Sequence, residues 1–244
     1  MVRMRRNSCK LTAVVVTLGA ALAPAAAQAA TIELGATKSP LVAPVCPPNV
    51  SSANCTIVLT RVTALETIRD GVNYPTKVTK AGRIVAFTVG LSGLSTSKST
   101  QKTYIHFLDQ TYGGTAQVAV TVLRQVGKHS NFRWQVIGTS NFFHVIPYLG
   151  TVVQLPLETS IEVEPGDVVG LTTPTWAPAL TINQVSKRFA YRQSRNANCN
   201  NPPSSSQAQV TPKSTATYSC DYPGTRVEYT ATEVTYPKGT NPVQ

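Results

Sequence analysis

Apolar side chains return at every second position along most of this chain, and that spacing commits it to strands. From Ala116 to Val126, the valines at 118, 120, 122 and 126 fall on one face, and Gln117, Thr121 and Gln125 fall on the other. Arg124 interrupts the apolar face near its end. Phe132, Trp134 and Val136 alternate with Arg133 and Gln135. A strand turns successive side chains to opposite faces, so each such run predicts one dry face and one wet face. Ile57 to Val62 and Ile84 to Val89 are more continuously apolar and read as central strands. Helical periodicity is nearly absent beyond the first thirty residues. Many short runs at a spacing of roughly ten residues predict an all-β fold, an antiparallel β-sandwich that is jelly-roll-like.

Finer marks fix details of that fold. Glu164-Pro165-Gly166-Asp167 separates two alternating runs, and Pro-Gly suits the central positions of a type II turn. The last run extends from Arg226 to Tyr236. Val227, Tyr229 and Ala231 share one phase, Val234 and Tyr236 the other, so a one-residue slip near Thr232-Glu233 predicts a β-bulge or a bend. Pro40 to Asn54 and Asn196 to Pro212 read as loops from their Pro, Asn and Ser content.

The first thirty residues set the compartment. Arg3, Arg5, Arg6 and Lys10 precede an apolar stretch from Leu11 to about Ala23, and Ala27-Gln28-Ala29 forms a small-residue cleavage site. This is the pattern of a secretory signal peptide, residues 1–29. The apolar stretch is too short and too rich in alanine for a membrane span of about 20 residues, and no transmembrane segment is expected. Residues 30–244 then form a single secreted, extracellular β-sandwich domain with an N-terminus at Ala30 or Thr31. It keeps 18 Lys and Arg against 11 Asp and Glu, a net charge of +7. The excess is spread out, without the dense basic stripe and interleaved aromatics of a nucleic-acid surface, so no nucleic-acid partner is expected. Lys187 to Arg192 comes closest and reads as a strand with one wet face.

Four cysteines follow the leader: Cys46, Cys55, Cys199 and Cys220. An even count in an oxidising compartment predicts disulfides. Proximity favours Cys46–Cys55 and Cys199–Cys220, each contributing about 2–4 kcal/mol. No metal is expected, because His106, His129 and His144 are scattered and none is near a cysteine.

A further pattern joins several of these runs. Lys77-Val78 precedes Gly82-Arg83-Ile84. Val122-Leu123-Arg124 lies inside a strand, and Gly138-Thr139-Ser140 ends another. Ile161-Glu162-Val163-Glu164-Pro165-Gly166-Asp167-Val168-Val169-Gly170-Leu171 closes the series. In this layout the segment from Lys80 to Leu171 resembles a group of exported actinobacterial β-sandwich proteins of uncharacterised function. The resemblance implies a β-sandwich and brings no catalytic or binding residues with it.

The chemistry is sparse. Glu162 and Glu164 share the wet face of one strand about 7 Å apart, which suits a solvated edge better than a glycosidase pair. Asp167 reads as a turn residue. No G-x-S-x-G elbow, H-E-x-x-H, phosphate loop or dinucleotide fingerprint occurs, and His144 in its apolar run lacks a partnered nucleophile. No cofactor is expected. Aromatic residues beside Gly or Pro carry the binding signal: Trp176, Tyr148 and Tyr112, with Tyr74 and Tyr222. Exposed rings stack on sugar faces, although rings in such positions more often plug the ends of a sandwich. The sequence therefore points to a secreted, non-catalytic binding or structural protein at the cell surface or in the medium, with a glycan or cell-wall polymer as its partner. The alternative is an enzyme acting on extracellular polysaccharide.

Overall fold

The alternating runs become strands, and every strand pairing is antiparallel. The computed structural model describes residues 28–50, 55–128, 132–195, 199 and 207–237. The signal-peptide reading lies outside these residues, apart from positions 28 and 29. In chain order the strands are β1 (Thr31–Leu34), β2 (Leu59–Arg69), β3 (Val72–Asn73), β4 (Gly82–Gly90), β5 (Gln117–Gln125), β6 (Arg133–Thr139), β7 (Phe143–His144) and β8 (Val152–Val163). They continue with β9 (Val168–Ala177), β10 (Leu180–Thr181), β11 (Phe189–Gln193), β12 (Thr215–Thr217), β13 (Cys220–Pro223), β14 (Arg226–Val227) and β15 (Tyr229–Thr235). One sheet has the order β1-β15-β4-β8, and a larger one runs β12-β6-β5-β9-β2-β11-β13. β3 and β7 attach to β2 and β5 of the larger sheet, and β10 pairs with β14.

The two sheets face each other as the expected sandwich. Ile84, Phe87, Val89, Tyr229 and Ala231 come from the smaller sheet, and Val62, Ala64, Val118, Val120, Val122 and Leu171 from the larger. Each large aliphatic chain removed from water contributes about 1.5–3 kcal/mol, which makes this layer the main source of stability.

The outer face of the larger sheet departs from the expected wet face. Thr63, Thr121 and Thr172 are fully buried there. Their hydroxyls form a ladder, 2.8 Å from Thr63 to Thr172 and 2.7 Å from Thr172 to Thr121. The segment after residue 206 covers them: Gln209 donates its N–H to Thr63 Oγ1 at 2.9 Å, and its carbonyl accepts from Thr121 Oγ1 at 3.1 Å. Beside the ladder, Leu65, Leu123, Trp134, Val136, Val168 and Tyr218 form a second apolar cluster. Periodicity cannot reveal a covering segment that arrives from elsewhere in the chain.

The local marks fare well. Asp167 N–H donates to the Glu164 carbonyl at 3.1 Å, and Gly166 has φ 101°, as a type II turn requires. A register shift lies at Thr232/Glu233, but its extra residue is Val85 of β4, so β15 keeps its phase and turns Glu233 inward. A second shift separates Thr60 from Val62 opposite Thr173 to Trp176. Pro174 lies there with no N–H for the ladder, and Arg61 adopts φ 51°.

One element was not expected: helix α1 (Lys98–Tyr112). Ser97 caps it through a hydrogen bond from Thr100 N–H, and Gly113, at φ 82°, closes it with its N–H on the Asp109 carbonyl. Tyr104, Ile105, Leu108 and Tyr112 form its inner side, and α1 packs against β9. Among the described residues no helix is long and apolar enough to cross a membrane.

Candidate functional site

Helix α1 stands on Leu108, which is buried, with Ile105 and Tyr112 packed against the core. The next positions on its flank, Tyr104 and Phe107, overhang the approach to β2. Ile57, Val58 and Leu94 face them, and the Cys46–Cys55 disulfide closes the remaining side. Together these groups line a cleft of about 540 Å³. Ser95 and Thr100 add hydroxyls, and the lining carries no carboxylate, imidazole or amine. Phe107 keeps 59 % of its surface exposed, so an aromatic ring stands at the cleft without a full complement of protein neighbours. Volume and lining both match the concave, mostly apolar seats of small ligands, which run from about 300 to 1,000 Å³.

The aromatic residues expected to bind ligand are distributed differently. Trp176 is a correction: it is fully buried, inside β9 rather than in a connection. Its indole N–H donates to Asp109 Oδ1 at 2.9 Å and to the Gly114 carbonyl at 3.1 Å, so the ring holds the end of α1 and offers no face to a sugar. Tyr112, at that helix end, packs against the core while its carbonyl accepts from Arg61 Nε at 3.1 Å. Tyr148 lies on a separate 3₁₀ turn, Ile146–Tyr148, and is 39 % exposed. Tyr222 stacks on Tyr191, ring centroids 4.9 Å apart. Sequence spacing missed the cleft because its walls come from three distant segments and a helix. The signal that could have found it is the 3–4 spacing of Ile105, Leu108 and Tyr112.

Both expected disulfides are present, Cys46–Cys55 and Cys199–Cys220, with Cα atoms 5.7 Å and 5.3 Å apart. The acids weighed for catalysis are engaged by separate arginines. Glu162 lies 3.9 Å from Arg83, and Glu164 2.8 Å from Arg124. Asp167 is more than a turn residue: its buried carboxylate accepts two bonds from Arg124, at 2.8 Å and 3.0 Å. The Ser140 hydroxyl accepts from Val120 N–H at 3.1 Å and donates to the Asn141 carbonyl at 2.9 Å, so it serves the backbone. Among the described residues no three His, Cys, Asp or Glu side chains gather as a metal would require.

A buried charge cluster also escaped the sequence reading. Glu66, Arg69, Arg226 and Glu228 are all inside the protein. Glu66 pairs with Arg69, whose guanidinium also donates to the carbonyls of Gly35, Val227 and Tyr229, at 2.5, 2.8 and 2.6 Å. Arg226 pairs with Glu228 at 3.3 Å and donates to the Ser39 and Pro40 carbonyls, each at 3.0 Å. Burial pushes the Glu66 carboxyl up to about 7 against the pull of Arg69 and Arg226, and it raises Glu228 as well. The cluster clamps the chain from Gly35 to Val42 onto the strands. Both guanidiniums are held by backbone carbonyls and by the carboxylates, while Arg69 Nε meets no acceptor among the described residues, and the cluster reads as a structural lock.

No family of known proteins, no curated protein and no solved structure matches this chain.

Proposed function

We propose that this protein is a secreted, non-catalytic binding protein of the cell surface or medium, and that the cleft beneath α1 is its ligand seat. The observation that carries the reading is the cleft itself, an apolar recess with a half-exposed phenylalanine and no carboxylate, imidazole or amine in its lining. Two disulfides and the lack of a membrane-length apolar helix among the described residues are compatible with secretion. The lining suits an alkyl chain, with the Ser95 and Thr100 hydroxyls placed to accept the start of a polar head. Apolar transfer supplies the affinity, about 0.8 kcal/mol for each methylene removed from water.

Titration with alkyl glucosides of increasing chain length tests this. Affinity is expected to rise with length and then level off as the cleft fills. Thr100→Trp, which fills it, should abolish the binding. A flat response to chain length overturns the seat. Binding of oligosaccharide or wall polymer that survives Thr100→Trp would move the ligand to another surface. Release of soluble sugars, lost in Glu162→Gln, would establish a polysaccharide-acting enzyme instead.

A further inference from the structure

Glu233 is fully buried on β15, and neither of its carboxylate oxygens meets a hydrogen-bond donor among the described residues. Leaving a buried carboxylate unpaired costs several kcal/mol, and burial raises the Glu233 carboxyl accordingly, so the group takes either a proton or a cation. Its position follows from the register. Because the extra residue of the bulge is Val85, Glu233 stays opposite Ile84 and Ile32 and shares the inward phase with Thr235. A Cβ at Gly82 would lie 2.9 Å from Glu233 Oε1, so the carboxyl leans toward the end of the sheet.

Ala30 crosses that same end. Its N–H donates to Thr235 Oγ1 at 3.1 Å, and its carbonyl accepts the Thr235 N–H at 2.8 Å. A recess of about 420 Å³ opens there, with Gln28 of the leader, Ala30, Lys80, Ala81, Thr235 and Tyr236 in its wall. Lys80 is the charged group that acts on Glu233, and it remains exposed. The other nearby charges are engaged elsewhere: Glu33 takes bonds from Thr230 and Thr232 on the opposite face, and Arg83 pairs with Glu162.

We propose that Glu233 is the receptor for the α-ammonium of Ala30 that cleavage after Ala29 creates. This rests on the secretory reading of residues 1–29. In the uncut chain the Ala30 nitrogen is an amide whose single hydrogen is used on Thr235. Hydrolysis adds one water across the Ala29–Ala30 bond. The carboxylate departs with Ala29, and the freed amine takes up a proton. The nitrogen then carries three donors and a positive charge: one donor keeps Thr235 Oγ1, and another is free to turn to Glu233. Removal of the leader therefore completes the sheet end and fastens β1 to β15.

The test compares residues 30–244 bearing a free Ala30 amine with the same chain acetylated at that amine, both at pH 6.5. The free-amine chain is expected to melt about 4 °C higher, a shift of the size one ion pair gives a domain of this length. In Glu233→Gln the two forms should melt together. Equal melting in the wild-type pair, or a gap that survives Glu233→Gln, overturns the proposal. Acylation kinetics give a readout that does not require the variant to fold. The α-amine of the folded wild-type chain should react roughly tenfold more slowly at pH 7 than in urea, the change expected from one unit of stabilised protonation. Equal rates overturn the pairing. The N-terminus of the exported protein is judged separately by its mass: a start other than Ala30 refutes the processing reading, while melting and acylation judge the receptor.

Discussion

The two ends of β2 are buried in opposite ways. At the Leu59 end the chain enters through Ile57 and Val58, whose apolar surface borders an open cleft. At the Arg69 end, Glu66 and Arg69 are charged and fully enclosed. Polarity and exposure are thus inverted relative to the usual expectation. The apolar end keeps surface available because α1 bridges over it. The charged end is sealed because the Arg69 guanidinium is held by three backbone carbonyls and by Glu66. The contrast teaches that the ionic end fixes the chain path from Gly35 to Val42, while the apolar end remains free to take a ligand.

The largest effect should come from cutting the ionic end. Glu66→Ala or Arg69→Ala leaves one buried charge alone and should cost about 3–5 kcal/mol in urea unfolding. Replacing both with a well-packed apolar pair should cost less than either single change. A single-substitution cost under about 1 kcal/mol would show that this end is wetter than its packing indicates. Next comes the disulfide at the apolar end. Cys46→Ser with Cys55→Ser should cost about 2–4 kcal/mol and also weaken alkyl glucoside binding, because the bridge is a wall of the cleft. Loss of stability with unchanged binding would detach the wall from the seat.

Acidity offers a smaller and more diagnostic contrast. The Glu66 carboxyl is raised from 4.5 to about 7. The folded chain therefore keeps a proton that the unfolded chain has already lost. Its contribution is fully present below the unfolded value and fades as pH rises through the folded one. Stability should fall across that window, with a limiting slope of about 1.4 kcal/mol per pH unit for one proton. Thermal melts from pH 4.5 to 7.5 check this, and Glu66→Gln should flatten the profile. Asp70 behaves in the opposite sense. Burial raises its carboxyl, but hydrogen bonds from Thr37 and Ser39 and the Arg188 guanidinium prevail and leave it at about 2. Its contribution is lost only in stronger acid, as pH falls from 3.8 through that value. The smallest effect belongs to Phe107→Ala. With the ring 59 % exposed, stability should move by less than about 0.5 kcal/mol while ligand affinity drops. A change confined to stability would assign the ring to packing.

Much of the sandwich was legible because strand signals are local. Alternation marked β5 and β6, Pro165-Gly166 marked a turn, and two short cysteine spacings marked the bridges. The site was less legible. Trp176 sits beside Pro174 and Pro178, which read as a connection. Yet the strand passes Pro174 by a register shift, and the indole turns inward. Helix α1 carries Lys98, Lys102 and His106 among its few apolar residues, so its 3–4 spacing was masked by polar neighbours. Glu66 and Glu228 look like solvent-facing acids until β2 and β14 come together and place Arg69 and Arg226 around both carboxylates. Thr121 looks wet until the segment near Gln209 covers it.

The pairing of β1 with β15 has a consequence in time. β1 lies at the edge of its sheet, with β15 as its neighbour, and the hydrogen bond from Ala30 to Thr235 spans 205 positions. A contact of such separation forms late and slowly, since the whole intervening chain must be closed before it gains anything. The smaller sheet cannot be finished before β15 has been synthesised. On the proposed export route, that delay keeps the chain threadable until β15 is available.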